Sequence, residues 1–300
     1  MSQRGFTLIE LIVVITLLSV ISLVTVSFIG STMQGFADLT RRDQLSAAAR
    51  VAVDRMTREI RNALPNSIRI NAAGTCLEFI PALAASRYDS VPVTVSSAAS
   101  SFSSVPFAEE PERGRVAVYP LDTNRQDEVN PGGDDIGRSS DLNPIYDLDS
   151  WSIISPLMSA SNALASATGS VTLNLTAAHS FPAGSPSYRY FIVDEPVSFC
   201  LVGTDLYRFQ GEDGSAYSFA ESQPTAATLY ANLVEPQRIL LASDIVSPVD
   251  NSPFRYLEAT LQRNGLVLFD LLVEDQELGV ADQTRENIRV QFEVQVKNAP

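Results

Sequence analysis

Histidine, cysteine, lysine and tryptophan are nearly missing from this 300-residue chain, which has one His, two Cys, one Lys and one Trp. That leaves little room for a His/Cys metal cluster or a cysteine-based redox motif. The lone histidine, His179, has none of the company a nucleophile–base arrangement needs. No Gly-x-Ser-x-Gly, His-Glu-x-x-His or glycine-rich phosphate loop goes with it, so it is expected on the surface or in a loop. The chain is therefore read as a non-enzyme with no cofactor and no metal. Positive charge is also short, with 21 Lys plus Arg against 35 Asp plus Glu and a net charge of −14. Phosphate binding draws on basic patches, so this balance argues against nucleic acid as a partner. Apolar material is not lacking: 45% hydrophobic and 8% aromatic residues suffice for a packed core and argue against general disorder. The length allows one large domain or two ordinary ones.

The charge is uneven along the chain. Residues 1–64 hold seven basic and five acidic side chains, a net of +2. The remaining 236 residues hold 14 basic and 30 acidic ones, a net of −16. The front also carries the longest apolar run. Phe6 to Ile29 is 24 residues with a single charge, Glu10, and no proline. At about 1.5 Å per residue it crosses a hydrocarbon core of about 30 Å. It is too long for a signal-peptide core, and no small-residue cleavage site follows it. A carboxylate in such a segment costs about 2.5–3.5 kcal/mol at mid-bilayer and less near the interface, so Glu10 needs a reason or a partner.

The string Arg4-Gly5-Phe6-Thr7-Leu8-Ile9-Glu10, followed at once by an unbroken apolar helix, resembles the type IV prepilin family. The resemblance implies cleavage by a prepilin peptidase between Gly5 and Phe6, and N-methylation of the new terminal Phe6. It also implies an assembly role for Glu10, whose carboxylate would pair with the α-amine of a neighbouring subunit's first residue. Counting positive charges on the two sides of the span does not decide its orientation. The resemblance does, with the leader cytoplasmic, the span single-pass in the inner membrane and the body in the periplasm.

Beyond Gly30 the helical pattern continues with a new surface. Leu45, Ala49, Ala52, Met56, Ile60 and Ala63 recur at three- and four-residue spacing between charged residues, an amphipathic stripe expected to pack on the body's first sheet. Pro65 stops the helix, while Gly30 and Gly35 are the expected places for it to bend or melt. The body reads as mostly β. Candidate strands are Ser67–Asn71, Thr75–Pro81, Val91–Val95, Arg115–Leu121, Trp151–Ile154, Val171–Thr176, Tyr188–Asp194, Val197–Val202 and Leu206–Gln210. A hairpin is expected over Arg255–Val273, turning at Asn264-Gly265, and a half-buried alternating strand over Asn287–Lys297. The Ser/Ala-rich stretches Ala84–Ser104 and Ser159–Gly169 read as flexible loops. The acidic stretch from Asp122 to Asp149 has oxygen ligands at alternate positions but lacks the EF-hand glycine and closing glutamate, so it reads as a solvated loop, with a calcium site as the alternative. The fold class is thus α+β: a leader over 1–5, a transmembrane segment over 6–29, its amphipathic continuation over 30–64, and an antiparallel β-rich, pilin-like domain over 65–300.

With the body outside the cytoplasm, Cys76 and Cys200 are expected to form a disulfide. A body of 236 residues is large for a major filament subunit and points to a minor pilin. The segments Arg42–Leu45, Arg58–Ile68 and Cys76–Pro81 resemble the MshO-like minor pilins of the mannose-sensitive haemagglutinin (MSHA) pilus system. The Arg-Glu-x-Arg-x-Ala stretch is also similar to the J pseudopilin of type II secretion. The implied partners are a prepilin peptidase, other major and minor pilins, the inner-membrane assembly platform and membrane lipid. A secretion pseudopilin and a pilus-associated adhesin remain alternatives to pilus assembly.

Overall fold

A computed structural model of the chain describes residues 8–107, 111, 113–121, 144–148, 151–159, 169–213, 219, 223–247, 252–258, 264–274 and 287–296. Two compact units emerge, residues 1–47 and 48–300. The architecture is α+β: one long N-terminal helix followed by antiparallel sheets.

Helix α1 spans Leu8–Arg61, 54 residues without a proline. It runs unbroken through Gly30 and Gly35, so of the two expected outcomes, bending or melting, neither glycine brings about melting. A Cβ added at either would meet nothing within 4 Å. The helix ends four residues before the first proline after it, Pro65, whose ring disfavours helical geometry in the residue ahead of it.

Within the body unit, the last turns of α1 bury the predicted stripe: Ala49, Ala52, Met56 and Ile60 are 0–1% exposed. Val53, outside the expected spacing, is buried with them, while the side chain of Leu45 lies outside the description. They pack on a five-stranded antiparallel sheet of β1 (Arg69–Ile70), β2 (Cys76–Phe79), β9 (Val197–Val202), β10 (Asp205–Gln210) and β11 (Arg238–Ala242), in that order. Alternation puts Leu77, Phe79, Val197, Phe199 and Leu201 in one core with the helix. The same core takes Val267, Phe269, Leu271, Val294 and Val296 from a second sheet. There β14 (Gly265–Glu274) pairs with β12 (Ile245–Val246), β13 (Phe254–Leu257) and β15 (Asn287–Val296). The opposite face of the first sheet carries Cys76, Cys200 and Phe209, covered by Leu229 and Leu233 in and just after helix α2 (Ala226–Asn232). Thr225 caps α2, its hydroxyl accepting from the Thr228 amide.

Between β2 and β9, adjacent in the first sheet, lies a separate module. It contains β3 (Ala82–Ser90), β4 (Ala99–Ser104), β5 (Arg115–Val118), β6 (Ile154–Leu157), β7 (Val171–His179) and β8 (Arg189–Val193). They form one sheet in the order β6-β5-β8-β3-β4-β7. The Met158–Leu175 bridge and the Ser159 amide donating to the Asn174 carbonyl (2.9 Å) bring β7 back beside the end of β6, so the sheet closes on itself. Its interior is aromatic: Phe102, Phe107, Phe181 and Tyr190 meet edge to face at 5.6–6.4 Å.

Several sequence expectations are corrected here. Ala84–Ser104 is not a flexible loop but most of β3 and all of β4, while the expected strand Val91–Val95 is irregular and ends in a short 3-10 turn at Val95–Ser97. The strand expected at Trp151–Ile154 lies at Ile154–Leu157. The hairpin of β13 and β14 exists, but Leu257 stands opposite Leu266. The connection is therefore longer than a two-residue turn at Asn264-Gly265 allows. His179 is no surface residue: it is fully buried at the end of β7. Most of the Ser159–Gly169 stretch and of the acidic stretch 122–149 lies outside the described residues.

Candidate functional site: the anchor helix and the clamped body

The site expected from sequence begins at the N-terminus. Gly5 and Phe6 lie outside the described residues, and Glu10 sits in the first turn of α1. An acidic residue there meets the positive end of the helix dipole. From Leu8 to Leu39 the apolar side chains are 44–77% exposed, including Leu17 at 58% and Ile21 at 60%. A water-soluble domain does not leave such a continuous surface bare. The helix is long and apolar enough to cross a membrane. Its hydroxyls also suit that medium: Thr16 donates to the Val13 carbonyl (2.9 Å), Ser19 to Ile15 (2.5 Å) and Thr25 to Ile21 (2.8 Å). Each thereby finds its hydrogen bond within the helix, which a lipid environment requires.

In the body, Cys76 and Cys200 stand directly opposite each other on β2 and β9 and are joined by a disulfide, with S–S 2.00 Å. Both are fully buried. Three further clusters were not anticipated. Glu59, near the end of α1, accepts from Arg208 on β10 (2.8 Å) and from Arg55 one turn earlier (3.1 Å), tying the helix to the first sheet. Glu78, 1% exposed on β2, receives Arg69 of β1 at 2.9 Å, and the same guanidinium lies 3.6 Å above the ring of buried Tyr146. Burial pushes the Glu78 carboxyl from 4.5 up to about 7, Arg69 offsetting only part of that. Tyr146, whose hydroxyl donates to the Ser67 carbonyl (2.8 Å), is raised well above its ordinary value by burial. The third cluster is a cleft of about 460 Å³ beside β5 and β10. Within it Arg115 pairs with Asp213 and Glu195, and Arg113 with Asp194. His179 is held by its Nε2 contact with the Ser152 carbonyl (3.0 Å), and burial lowers its pKa, keeping the ring neutral. A Glu inside an otherwise apolar strand (Cys-Leu-Glu-Phe) was the one sequence signal for the Glu78 cluster.

An exposed apolar helix long enough to span a bilayer, continued by a disulfide-clamped β body, fits a membrane-anchored protein with an N-terminal span. The particular class comes from the comparison with protein families. The prokaryotic N-terminal methylation motif matches residues 1–26 and supports a type IV prepilin-like protein. That motif implies processing by a prepilin peptidase and assembly with other pilins, and it belongs to structural proteins. No curated protein and no solved structure matches the chain.

Proposed function

We propose that this chain is a minor pilin that primes or caps a type IV pilus of the MSHA-like kind. The methylation motif on a bare apolar helix is the observation that carries this reading. In it, the peptidase cuts after Gly5 and Phe6 becomes the N-methylated terminus, with the span in the inner membrane and the disulfide-clamped body in the periplasm. On assembly the helix leaves the bilayer and packs among other pilin helices. A bare carboxylate carried into that apolar bundle is costly, and the Phe6 amine of a neighbour neutralises Glu10 there. The large body, with its own closed six-stranded module, supports a subunit used in few copies.

Mass spectrometry of the mature protein tests the reading. A chain beginning with N-methyl-Phe6 is expected, and one still beginning at Met1 in cells with an active prepilin peptidase would overturn it. Glu10→Ala is expected to leave cleavage intact and to impair incorporation into filaments. Normal incorporation of that variant would remove Glu10 from the mechanism.

A further inference from the structure

Strand β15 is the longest outer edge among the body's described sheets. The six-stranded sheet closes on itself, β1 and β12 are two residues each, and β11 is five. β15 instead pairs with β14 at ten consecutive positions, and among the described residues no strand pairs with its other side. Such an edge is ordinarily blunted by charged side chains, lysine above all, by proline or by a bulge, because its outward N–H and C=O groups template another strand; the two charges on β15, Arg289 and Glu293, are of opposite sign. The sequence Asn-Ile-Arg-Val-Gln-Phe-Glu-Val-Gln-Val has no proline or lysine, and the ladder has no register shift.

The ladder fixes which residues turn those groups outward. The Asp270 amide donates to the Pro253 carbonyl (2.9 Å) and the Glu274 amide to the Asp244 carbonyl (2.8 Å), so these β14 residues aim their backbone away from β15. Residues opposite them in an antiparallel ladder do the same on their own side. Gln291 faces Asp270 and Asn287 faces Glu274. Asn287, Arg289, Gln291, Glu293 and Gln295 therefore present backbone donors and acceptors along the outer edge, and all five are exposed.

We propose that a second copy of this chain adds to this edge, β15 against β15, antiparallel about a two-fold axis through Gln291. The strand is complementary to itself in that register. Outward-facing residues must meet outward-facing residues, so the axis passes through a residue and not between two. Centred on Gln291, Arg289 of each copy lies opposite Glu293 of the other, and Val290 lies opposite Phe292. Centred on Val290 or Phe292, Arg289 meets only glutamine and both ion pairs are lost. The Gln291 register forms five hydrogen-bonded residue pairs and covers the Phe292 side chain, which is 39% exposed. Arg289 is already steered to this face by its two bonds to Asp270 (2.7 and 2.6 Å), and its side chain remains 45% exposed. The pairing rests on the edge itself and not on the pilin assignment.

The test uses the full-length protein in native membranes, where both natural cysteines are tied up in the disulfide. Gln291→Cys with a short bifunctional thiol reagent is expected to give a dimer of twice the chain mass. Asn287→Cys sets the two thiols about 27 Å apart, at about 3.4 Å per residue, and is expected to stay monomeric. Adding Glu293→Arg to Gln291→Cys puts arginine opposite arginine twice and should lower the dimer yield about tenfold, with Glu293→Gln giving a smaller loss. An unchanged near-ultraviolet circular dichroism spectrum of each detergent-solubilised variant confirms that it is folded. Only monomer from Gln291→Cys, an adduct with a different protein, equal cross-linking from Asn287→Cys, or a yield indifferent to both Glu293 changes would each overturn the proposal.

Discussion

The same truncation made at two points of α1 should have opposite consequences. Ile60 is fully buried in the core shared by the helix and both outer sheets, whereas Ile21 is 60% exposed in the apolar span. Ile60→Ala removes the same methyl and methylene groups as Ile21→Ala. At position 60 the loss includes both the transfer of those groups and the cavity left in that core, together about 2–5 kcal/mol. For a unit of this size each kcal/mol moves the melting temperature by about 2–4 °C, so a fall of about 6–12 °C is expected for a mid-range loss of about 3 kcal/mol. Ile60→Val, which keeps most of the volume, should lower it by only about 1–6 °C. Ile21→Ala should leave the body's melting unchanged. The assay is near-ultraviolet circular dichroism of the detergent-solubilised full chain during heating, which reports the packed aromatics of the body. A shift below about 2 °C for Ile60→Ala would refute the view that α1 is part of the body's core, as would an equal shift for Ile21→Ala.

Replacing both Cys76 and Cys200 with serine frees a 124-residue separation, and the chain-entropy account assigns such closure about 4–5 kcal/mol. The same melt should fall sharply, and a reductant should reproduce the effect in the parent protein but not in the double variant. For Glu78 the folded value near 7 lies above the unfolded 4.5, so the folded body holds a proton that the unfolded chain releases. This contribution is fully present below about pH 4.5 and is lost as pH rises through 7, about 3 kcal/mol in all. The body should thus melt lower at pH 8 than at pH 5, and Glu78→Gln should flatten that difference. Gly114→Ala should destabilise the closed sheet by more than about 1 kcal/mol, because φ there is +143° and an added Cβ would come within 2.6 Å of Ile192 Cγ2 and 2.8 Å of the Val193 carbonyl. Unchanged melting of that variant would count against the tight β5–β8 approach.

The features legible in the sequence share a strong period or a local punctuation. The span shows as an unbroken apolar run, the buried face of α1 as a three- and four-residue repeat, and β15 as alternation from Ile288 to Val296. The two cysteines needed only a compartment to be paired. The closed module was poorly legible where its strands carry few apolar residues. In β4, Ala-Ser-Ser-Phe-Ser-Ser, only Phe102 and Ser104 are buried, and hydrogen bonding to β3 and β7 on either side makes it a strand. β11 and α2 were missed for a similar reason, since their place is set by β10 and by the cysteine face they cover. His179 looked like a loop residue because Ala-Ala-His-Ser has no pattern, yet β7 carries it inward against Phe181 at 4.8 Å. The ion pairs of Glu59 and Glu78 join residues up to 149 positions apart, a distance over which no spacing rule applies.

The placement of the disulfide has a topological consequence. Cys76 and Cys200 sit on neighbouring strands, and the described strands between them, β3 to β8, form the closed six-stranded module. That module is an insertion whose two ends leave the first sheet side by side and are stapled together at the neck. A protease that nicks the chain anywhere from 77 to 199 would therefore release no fragment until the bridge is reduced. For the same reason the insertion is a natural cassette. Its surface and length can change over generations while the two strands that border it keep their register, their staple and their grip on the helix.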